Sequence, residues 1–414
     1  MTARQIAYRT LIKVDSGGFS GKLLAGSDNV TPAATALVYG VTKRRFTLDY
    51  IIRQNSATEF DKLDSEVRNA LRLGLYLLLY DNGTPESAAV NEAVALVPPH
   101  RRAFVNAVLR NFVRKGKQVD TGEVTDDYLR TAIKYSCPRR LVKLFCEQYG
   151  EQTATQILEE SLKPRPTFIK VNTIRFTPLS VKSALESEGV YVNETKFTDV
   201  FTVSGGAFAT TAYHEGMFFA QDISPHKFCR RLGITGGTVL DVCSAPGGKA
   251  FAAADLSGGR AAITACDVME SKTKVIEESA NRLRFTGVRA TLNDGLVFNE
   301  DLPQADVVLV DAPCSGLGVI GRKPEIKYRD SGDFSLFTEK SLQLLSMSAR
   351  YVKPNGRLAF STCTLNKTEN ENVVAAFLSS DNSFKLTEQQ TYILGEDNGD
   401  GLFFAIMQKK DSVK

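Results

Sequence analysis

The stretch Asp241-Val-Cys-Ser-Ala-Pro-Gly-Gly-Lys-Ala250 decides the fold. It follows the apolar run Thr238-Val239-Leu240 and leads into an alanine-rich segment, so it reads as strand, tight loop and helix in succession. Gly247 and Gly248 have no Cβ, which opens backbone angles closed to other residues and lets a ligand approach the main chain. A second apolar run, Ala262-Ile263-Thr264-Ala265-Cys266, ends in Asp267. That is where a nucleotide-binding α/β unit carries the acid that meets ribose hydroxyls. A Gly-Gly after a strand is also a common turn, so the reading leans on the rest of the chain.

Working outward, strands and helices alternate from Gly237 onward. Strands fall near 238–242, 261–266, 288–292, 305–310, 356–361 and 401–408, and helices near 249–256, 270–284, 335–351 and 368–379. Such alternation predicts an α/β domain over 236–414, with a mainly parallel sheet and a ligand at the carboxyl ends of its strands. Upstream the period changes. Phe168-Ile-Lys-Val-Asn172 alternates as a strand, Pro178 to Glu188 reads as a short helix and Val190 to Val203 as further strand. A helical linker plus a small α+β, ferredoxin-like module is therefore expected over 118–235.

Residues 1–117 read as helix upon helix. Between Leu63 and Tyr80, Val67, Ala70, Leu71, Leu75, Leu78 and Leu79 recur at steps of three and four, and a further helix from about Arg101 to Lys115 turns Phe104, Val105, Val108, Leu109 and Phe112 inward. Its opposite face is basic, with Arg101, Arg102, Arg110, Arg114, Lys115 and Lys117, and Lys43-Arg44-Arg45 adds a second cluster. Charge runs are usually solvated faces. Two in one small domain make RNA or DNA contact an equal contender.

Composition sets outer bounds. A chain of 414 residues at 43% hydrophobic has room for two or three domains, and its formal charge of +4 permits a nucleic-acid partner without demanding one. Seven cysteines show no CxxC pair and there are three histidines, so neither a metal site nor a disulfide framework is indicated. With no apolar signal core and no long apolar run, a cytoplasmic, reduced setting and no membrane partner are expected.

The predicted strand ends carry an unusual set: Asp241 and its loop, Asp267, Asp294, Asp311-Ala-Pro-Cys314 and Thr362-Cys363-Thr364. A lone aspartate after a strand is ordinarily a cap or turn former, but four at successive ends of one sheet argue for a site. Free cysteines are commonly small buried hydrophobes. Cys243 and Cys266 suit that description, whereas Cys314 and Cys363 leave the sheet at the cofactor mouth. Thiol, acid and cofactor together suit methyl transfer to carbon 5 of a pyrimidine, a poor nucleophile until a thiolate adds to carbon 6. The donor would be S-adenosylmethionine, and Asp311 would face ring nitrogen 3. Which cysteine attacks stays open at this point.

Asp241-Val-Cys-Ser-Ala-Pro-Gly-Gly-Lys249, Asp311-Ala-Pro-Cys-Ser-Gly316 and Thr362-Cys363 resemble the signature motifs of RNA 5-methylcytosine methyltransferases. The helical block with Val38-Tyr-Gly-Val41, Pro85 to Glu92 and Phe104-Val-Asn-Ala-Val-Leu-Arg110 resembles a NusB-like RNA-binding domain. The pairing is similar to the bacterial RsmB (Sun/Fmu) family, over nearly the whole chain. The resemblance implies a Rossmann-like methyltransferase domain with a mainly parallel seven-stranded sheet, acting on cytosine in small-subunit (16S) ribosomal RNA, with a monomer as the expected state. It makes Cys363 the nucleophile and Cys314 the residue that helps release product. S-adenosylmethionine would be held by Cys243, Ser244, Ala245, Pro246, Gly247, Gly248 and Lys249, with Asp267 and Asp294, and Asp311 would lie between cofactor and base. Gln221-Asp222 and Arg322-Lys-Pro324 would border the RNA cleft.

Departures from the pattern are Ser244 for alanine, Thr364 for serine, and Lys170 where an arginine often precedes the valine. Three other readings compete. A transfer RNA or large-subunit RNA could be the substrate. A Rossmann oxidoreductase lacks its G-x-G-x-x-G loop here and has no use for two strand-end thiols. A non-catalytic RNA-binding assembly factor would have no need of Cys314 and Cys363.

Overall fold

Apolar residues at helical spacing fill the first part of the chain, and it folds as eight α-helices among the described residues. They are α1 (Ala3–Asp15), α2 (Ser20–Ala25), α3 (Pro32–Asn55), α4 (Ser65–Tyr80), α5 (Glu86–Ala95), α6 (Pro99–Arg114), α7 (Asp127–Tyr135) and α8 (Arg139–Leu162). Local chemistry sets their starts: Thr2 and Gln5 close a capping box on α1, prolines occupy the first positions of α3 and α6, and Asp126 caps α7. The computed structural model describes residues 1–27, 30–329 and 333–411, and by its contacts the chain forms two compact units. Met1–Lys163 makes the first together with the stretch from Ile320 to Arg329; Pro164–Val319 and the chain from Asp333 onward make the second.

In the helical unit the expected faces of α4 and α6 supply much of the core. Val67, Ala70, Leu71 and Leu75 of α4 are buried against Val105, Val108, Leu109 and Phe112 of α6 in one cluster. A polar knot sits beside it. Arg72, 2% exposed, donates Nε to Asp49 at 2.6 Å and Nη1 to Asp15 at 3.0 Å. Arg45 reaches Asp15 at 2.9 Å and lies over the Tyr328 ring, Arg44 lies over Tyr80, and Lys43 donates to the Lys163 carbonyl. The Lys43-Arg44-Arg45 run is thus half-buried and occupied inside its own unit, which leaves α6 as the basic face. Arg322-Lys-Pro324 leads into a short 3-10 helix, Pro324–Tyr328, packed within the helical unit.

The second unit opens with a four-stranded antiparallel sheet ordered β2-β3-β1-β4, from β1 (Thr167–Val171), β2 (Val192–Glu194), β3 (Val200–Val203) and β4 (Phe218–Ala220). The helices α9 (Pro178–Ser187), α10 (Thr211–His214) and α11 (Ile223–Arg231) accompany it. Lys170 of β1 is buried, donating to Asp255 and pairing with Asp199 at 3.1 Å. It ties strand to helix and presents nothing to solvent, so the residue that departs from the family pattern is an internal anchor.

A seven-stranded sheet follows, ordered β10-β11-β9-β8-β5-β6-β7. Its strands are β5 (Gly237–Asp241), β6 (Ala261–Asp267), β7 (Val288–Leu292), β8 (Ala305–Asp311), β9 (Val352–Thr362), β10 (Phe384–Tyr392) and β11 (Leu402–Lys409). The five from β9 to β7 run parallel, and β11 and β10 add antiparallel at one edge. The helices are α12 (Gly248–Leu256), α13 (Glu270–Leu283), α14 (Ser335–Ala349) and α15 (Glu371–Ser380). Two apolar clusters lie against this sheet: one holds Phe228, Phe251, Ile276 and Leu309, the other Leu240, Val310, Leu344 and Phe377. A Rossmann-like, mainly parallel sheet is what this order describes. Its β10 lies where the sequence showed no strand.

Candidate active site

Parallel strands in register bring their carboxyl ends to one rim, and the residues that follow them define the site. After β5 the chain turns sharply. Gly247 has φ +104 and a Cβ there would meet the Phe251 ring at 2.5 Å, so only glycine permits the turn that starts α12. No side chain caps that helix, which leaves its first N–H groups available to an incoming acceptor.

Below the loop lies a cavity of about 180 Å³ lined by Gln221, Asp222, Asp241, Ser244, Pro246, Gly248, Lys249 and Asp311 among others. Its floor is unusually polar. Asp241 is fully buried, and neither of its carboxyl oxygens has a hydrogen-bond partner among the described residues; the Ser244 hydroxyl and Gln221 Oε1 likewise lack one. Burial pushes the Asp241 carboxyl up to about 7, with the nearby Ser244 hydroxyl partly opposing it and Asp311 adding to it. Unpaired buried polar atoms are costly, and converging on one cavity they mark where a polar ligand is needed.

Asp311, at the end of β8, accepts from Lys249 Nζ at 2.6 Å and from Ser361 Oγ at 2.8 Å. Burial alone would lower Lys249, but Asp311 outweighs it and holds the ammonium above its ordinary range. The other acids are differently employed. Asp267 accepts from the Met269 N–H at 3.1 Å and pairs with Lys272 at 3.5 Å, while exposed Asp294 caps its own turn through the Leu296 N–H. Beside them the apolar side chains of Val268 and Leu292 are more than half exposed.

Cys314 and Cys363 stand on the loops after the paired strands β8 and β9, half-buried, with their sulfurs 3.4 Å apart. The contact with Cys363 and then burial push the Cys314 thiol well above its ordinary value. Cys243, on the loop after β5, is pushed up to about 12 by burial and by Asp241, the state of an unreactive thiol. Cys266 is buried in the same way.

Two contributors, Ser361 and Glu369, went unread in the sequence, and Gln221, expected at an RNA cleft, lines the cavity. Gln221 Nε2 donates to the Gly248 carbonyl at 3.0 Å and so steadies the loop, Ser361 positions Asp311, and the buried Glu369 accepts from Ser315 beside Cys314. Neither Ser361, inside β9, nor Glu369 follows a strand in the way that flagged the aspartates. Asp222, expected at an RNA cleft, caps α11 and accepts from the Asp400 N–H. No group of three or more His, Cys, Asp or Glu residues that could hold a metal ion occurs among the described residues, and no helix there is long and apolar enough to cross a membrane.

Comparison with known proteins agrees with this architecture. Residues 234–410 match the family model of the 16S rRNA methyltransferase RsmB/F, and residues 1–114 match the NusB family. A Bacillus subtilis (strain 168) protein named probable ribosomal RNA small subunit methyltransferase B is 34% identical over 402 residues, 93% of this chain and 90% of its own. The ribosomal RNA small subunit methyltransferase B of Proteus mirabilis (strain HI4320) is 29% identical, covering 93% and 92%. Among solved structures, PH0851 superposes with a TM-score of 0.82 over 99% of both chains at 23% identity. NSun6 from Pyrococcus horikoshii with SFG gives 0.59 at 18%, covering 66% of this chain and 98% of its own. These two share the fold. With a NusB match over one end, an RsmB/F match over the other and curated relatives that span both, the chain belongs to the RsmB/F family of RNA methyltransferases.

Proposed function

We propose that this protein transfers a methyl group to carbon 5 of a cytosine in small-subunit ribosomal RNA, through a covalent bond between Cys363 and the base. The observation that carries the reading is the pair of thiols 3.4 Å apart at adjoining strand ends, beside the Lys249–Asp311 pair. The cavity fits S-adenosylmethionine, which when bound supplies an electrophilic methyl group on a sulfonium. Asp241 and Gln221 offer unpaired acceptors to its ammonium, the Gly247–Gly248 turn admits it close to the backbone, and exposed Val268 and Leu292 offer apolar surface beside Asp267. NSun6, which shares the fold, was solved with SFG, an analogue of that cofactor.

In this reading the target base leaves its stack to reach the thiol, the cost of doing so being met in the pocket. Cys363 as thiolate forms a bond to carbon 6 while the 5,6 double bond opens, and the negative charge that develops at nitrogen 3 is neutralised by a proton that Asp311 passes on from the Lys249 ammonium. Lys249, held protonated by Asp311, keeps that carboxylate in place. Carbon 5 then bonds the methyl group, whose bond to the sulfonium would break; a base removes the carbon 5 proton as the carbon–sulfur bond cleaves and returns Cys363 as thiolate, with Cys314 assisting release. The names of the curated relatives favour small-subunit RNA as the substrate. Residues 236–414 supply catalysis, and 1–117 and 118–235 bind RNA.

The test uses labelled cofactor and stripped small-subunit RNA. The intact chain yields 5-methylcytosine; Cys363→Ala yields neither product nor adduct; Cys314→Ala accumulates protein covalently joined to RNA. The reverse pattern exchanges the two roles, and absence of product from the intact chain supports a non-catalytic assembly factor instead.

A further inference from the structure

Two chemically identical thiols in contact pose a problem that the proposed reaction must solve. Removing one proton from the pair leaves a single anion shared between two sulfurs, and nothing in the pair itself decides which carries it. The asymmetry has to come from outside. Within the same unit an ionisable side chain reaches both cysteine-bearing loops. Glu369 is fully buried between them: its Oε2 accepts from the Ser315 N–H at 2.7 Å, and its Oε1 from the Ser315 hydroxyl at 2.6 Å and the Asn366 amide at 3.0 Å. These three donors converge on it, and a carboxylate accepts them all.

The surroundings make the arrangement rigid. Ser315 Oγ also meets Thr364 Oγ1 at 2.8 Å, Asn370 donates to the Thr364 carbonyl at 3.0 Å, and the Gly318 N–H donates to the Cys363 carbonyl at 2.9 Å. Thr364, Asn366 and Asn370 are all fully buried, so the network is screened from water. A buried charge that held only loops together could be replaced by a neutral residue of like size without loss. Here its contacts run to the residue directly after Cys314, and its field falls on that sulfur.

We propose that Glu369 is the positioning residue that breaks the symmetry of the two thiols, fixing the Cys314 turn through Ser315 and directing the thiolate to Cys363. This rests on the reading that the two cysteines perform the chemistry. The direction of charge agrees: Cys363, burial and then Glu369 all hold Cys314 towards its protonated form. A protonated Cys314 suits the residue that assists release, and the anion is left where attack begins.

The experiment is peptide-resolved alkylation of the full chain with iodoacetamide between pH 6 and 9, without RNA. In the unchanged chain Cys363 reacts faster than Cys314 by on the order of tenfold, the ratio that one pH unit between their midpoints gives. In Glu369→Gln, which keeps size and removes charge, the two rates converge, and kcat at neutral pH falls on the order of tenfold while KM for RNA is retained. A folded Glu369→Gln with the original ratio overturns the proposal. Should that variant fail to fold, the same measurement on Cys314 in a Cys363→Ala chain and on Cys363 in a Cys314→Ala chain decides it: the lone Cys314 must titrate higher, and equal midpoints refute the role. Failure of the catalytic reading shows separately, as methyl transfer that survives Cys363→Ala.

Discussion

Asp241 places a carboxyl where folding gains nothing from it. It is fully buried, its oxygens have no hydrogen-bond partner among the described residues, and burial raises it from 3.8 to about 7. A carboxyl raised in the folded state stays protonated there while its unfolded counterpart ionises, so stability is intact below about pH 4 and is lost as pH rises towards 7, by on the order of 4 kcal/mol. Asp241→Asn keeps the shape and removes the titration. The ligand-free variant is therefore expected to melt a few degrees higher at pH 7 and to show a flatter stability profile between pH 4 and 7, while cofactor affinity falls tenfold or more. Thermal melts across that range together with calorimetric titration of S-adenosylmethionine check both; a variant with unchanged stability and unchanged affinity contradicts the assignment. At this scale the strand-end positions of Asp241, Asp267 and Asp311 were legible, because aspartates there announce themselves by position. Glu369 was not, since Asn366-Lys-Thr-Glu-Asn-Glu371 reads as the solvated start of a helix, and only the fold reveals that Glu369 and Asn370 turn inward.

Among the elements, α6 shows how a two-faced helix can be read in advance. Its apolar face packs as spaced, and Arg101, Arg102, Arg110, Arg114 and Lys115 are exposed. Part of that charge is answered locally, Arg101 by Asp64 at 2.5 Å and Arg110 by the Asn106 side chain at 2.9 Å. Arg110 and Arg114 share a face one turn apart. Converting both to Glu should weaken RNA binding uniformly across sequences and reduce the slope of log affinity against log salt by about 1.4 for single strands to about 1.8 for duplex, with kcat at saturating RNA unchanged. Filter binding over a salt series reads this, and an unchanged slope would remove α6 from the RNA surface. The strand β10 marks the opposite limit. In Phe384–Tyr392 only the two end residues are buried, so this edge strand carries neither alternation nor an apolar run, and its pairing with β11 is dictated by the sheet it joins. The stretch from Val190 to Val203 read as one strand for a related reason: its apolar residues belong to two strands that pair with each other across a turn.

For the molecule as a whole, the compact units do not follow the order of the chain. Ile320 to Arg329 come directly after the Cys314 loop in sequence yet fold with the helices. Buried Glu325 accepts from the Ser20 N–H and hydroxyl at 3.0 Å each, across 305 residues of sequence. Fully buried Lys327 donates to the carbonyls of Lys43 at 3.0 Å and Ser136 at 2.7 Å, and the Tyr328 hydroxyl accepts from the Phe46 N–H. No local pattern foretells such partners, because Pro324-Glu-Ile-Lys-Tyr328 is read alone as a polar turn and its fit is created by helices that precede it by hundreds of residues. The consequence is that a cut at residue 117, natural from the sequence, is not neutral. Removing 1–117 takes away Ser20, Lys43, Arg45 and Phe46, so the Glu325 carboxylate loses both contacts to Ser20 while Lys327 and Tyr328 keep only Ser136 of the partners named, each lost contact costing about 1–3 kcal/mol where the group stays buried. The fragment from 118 should therefore open at this segment and be cleaved by trypsin after Lys327, which is fully buried in the full chain. In the full chain, Glu325→Ala should lower the denaturation midpoint of the helical unit alone, because the Ser20 N–H loses its acceptor. Equal trypsin resistance of fragment and full chain would show that these contacts contribute nothing to holding the segment.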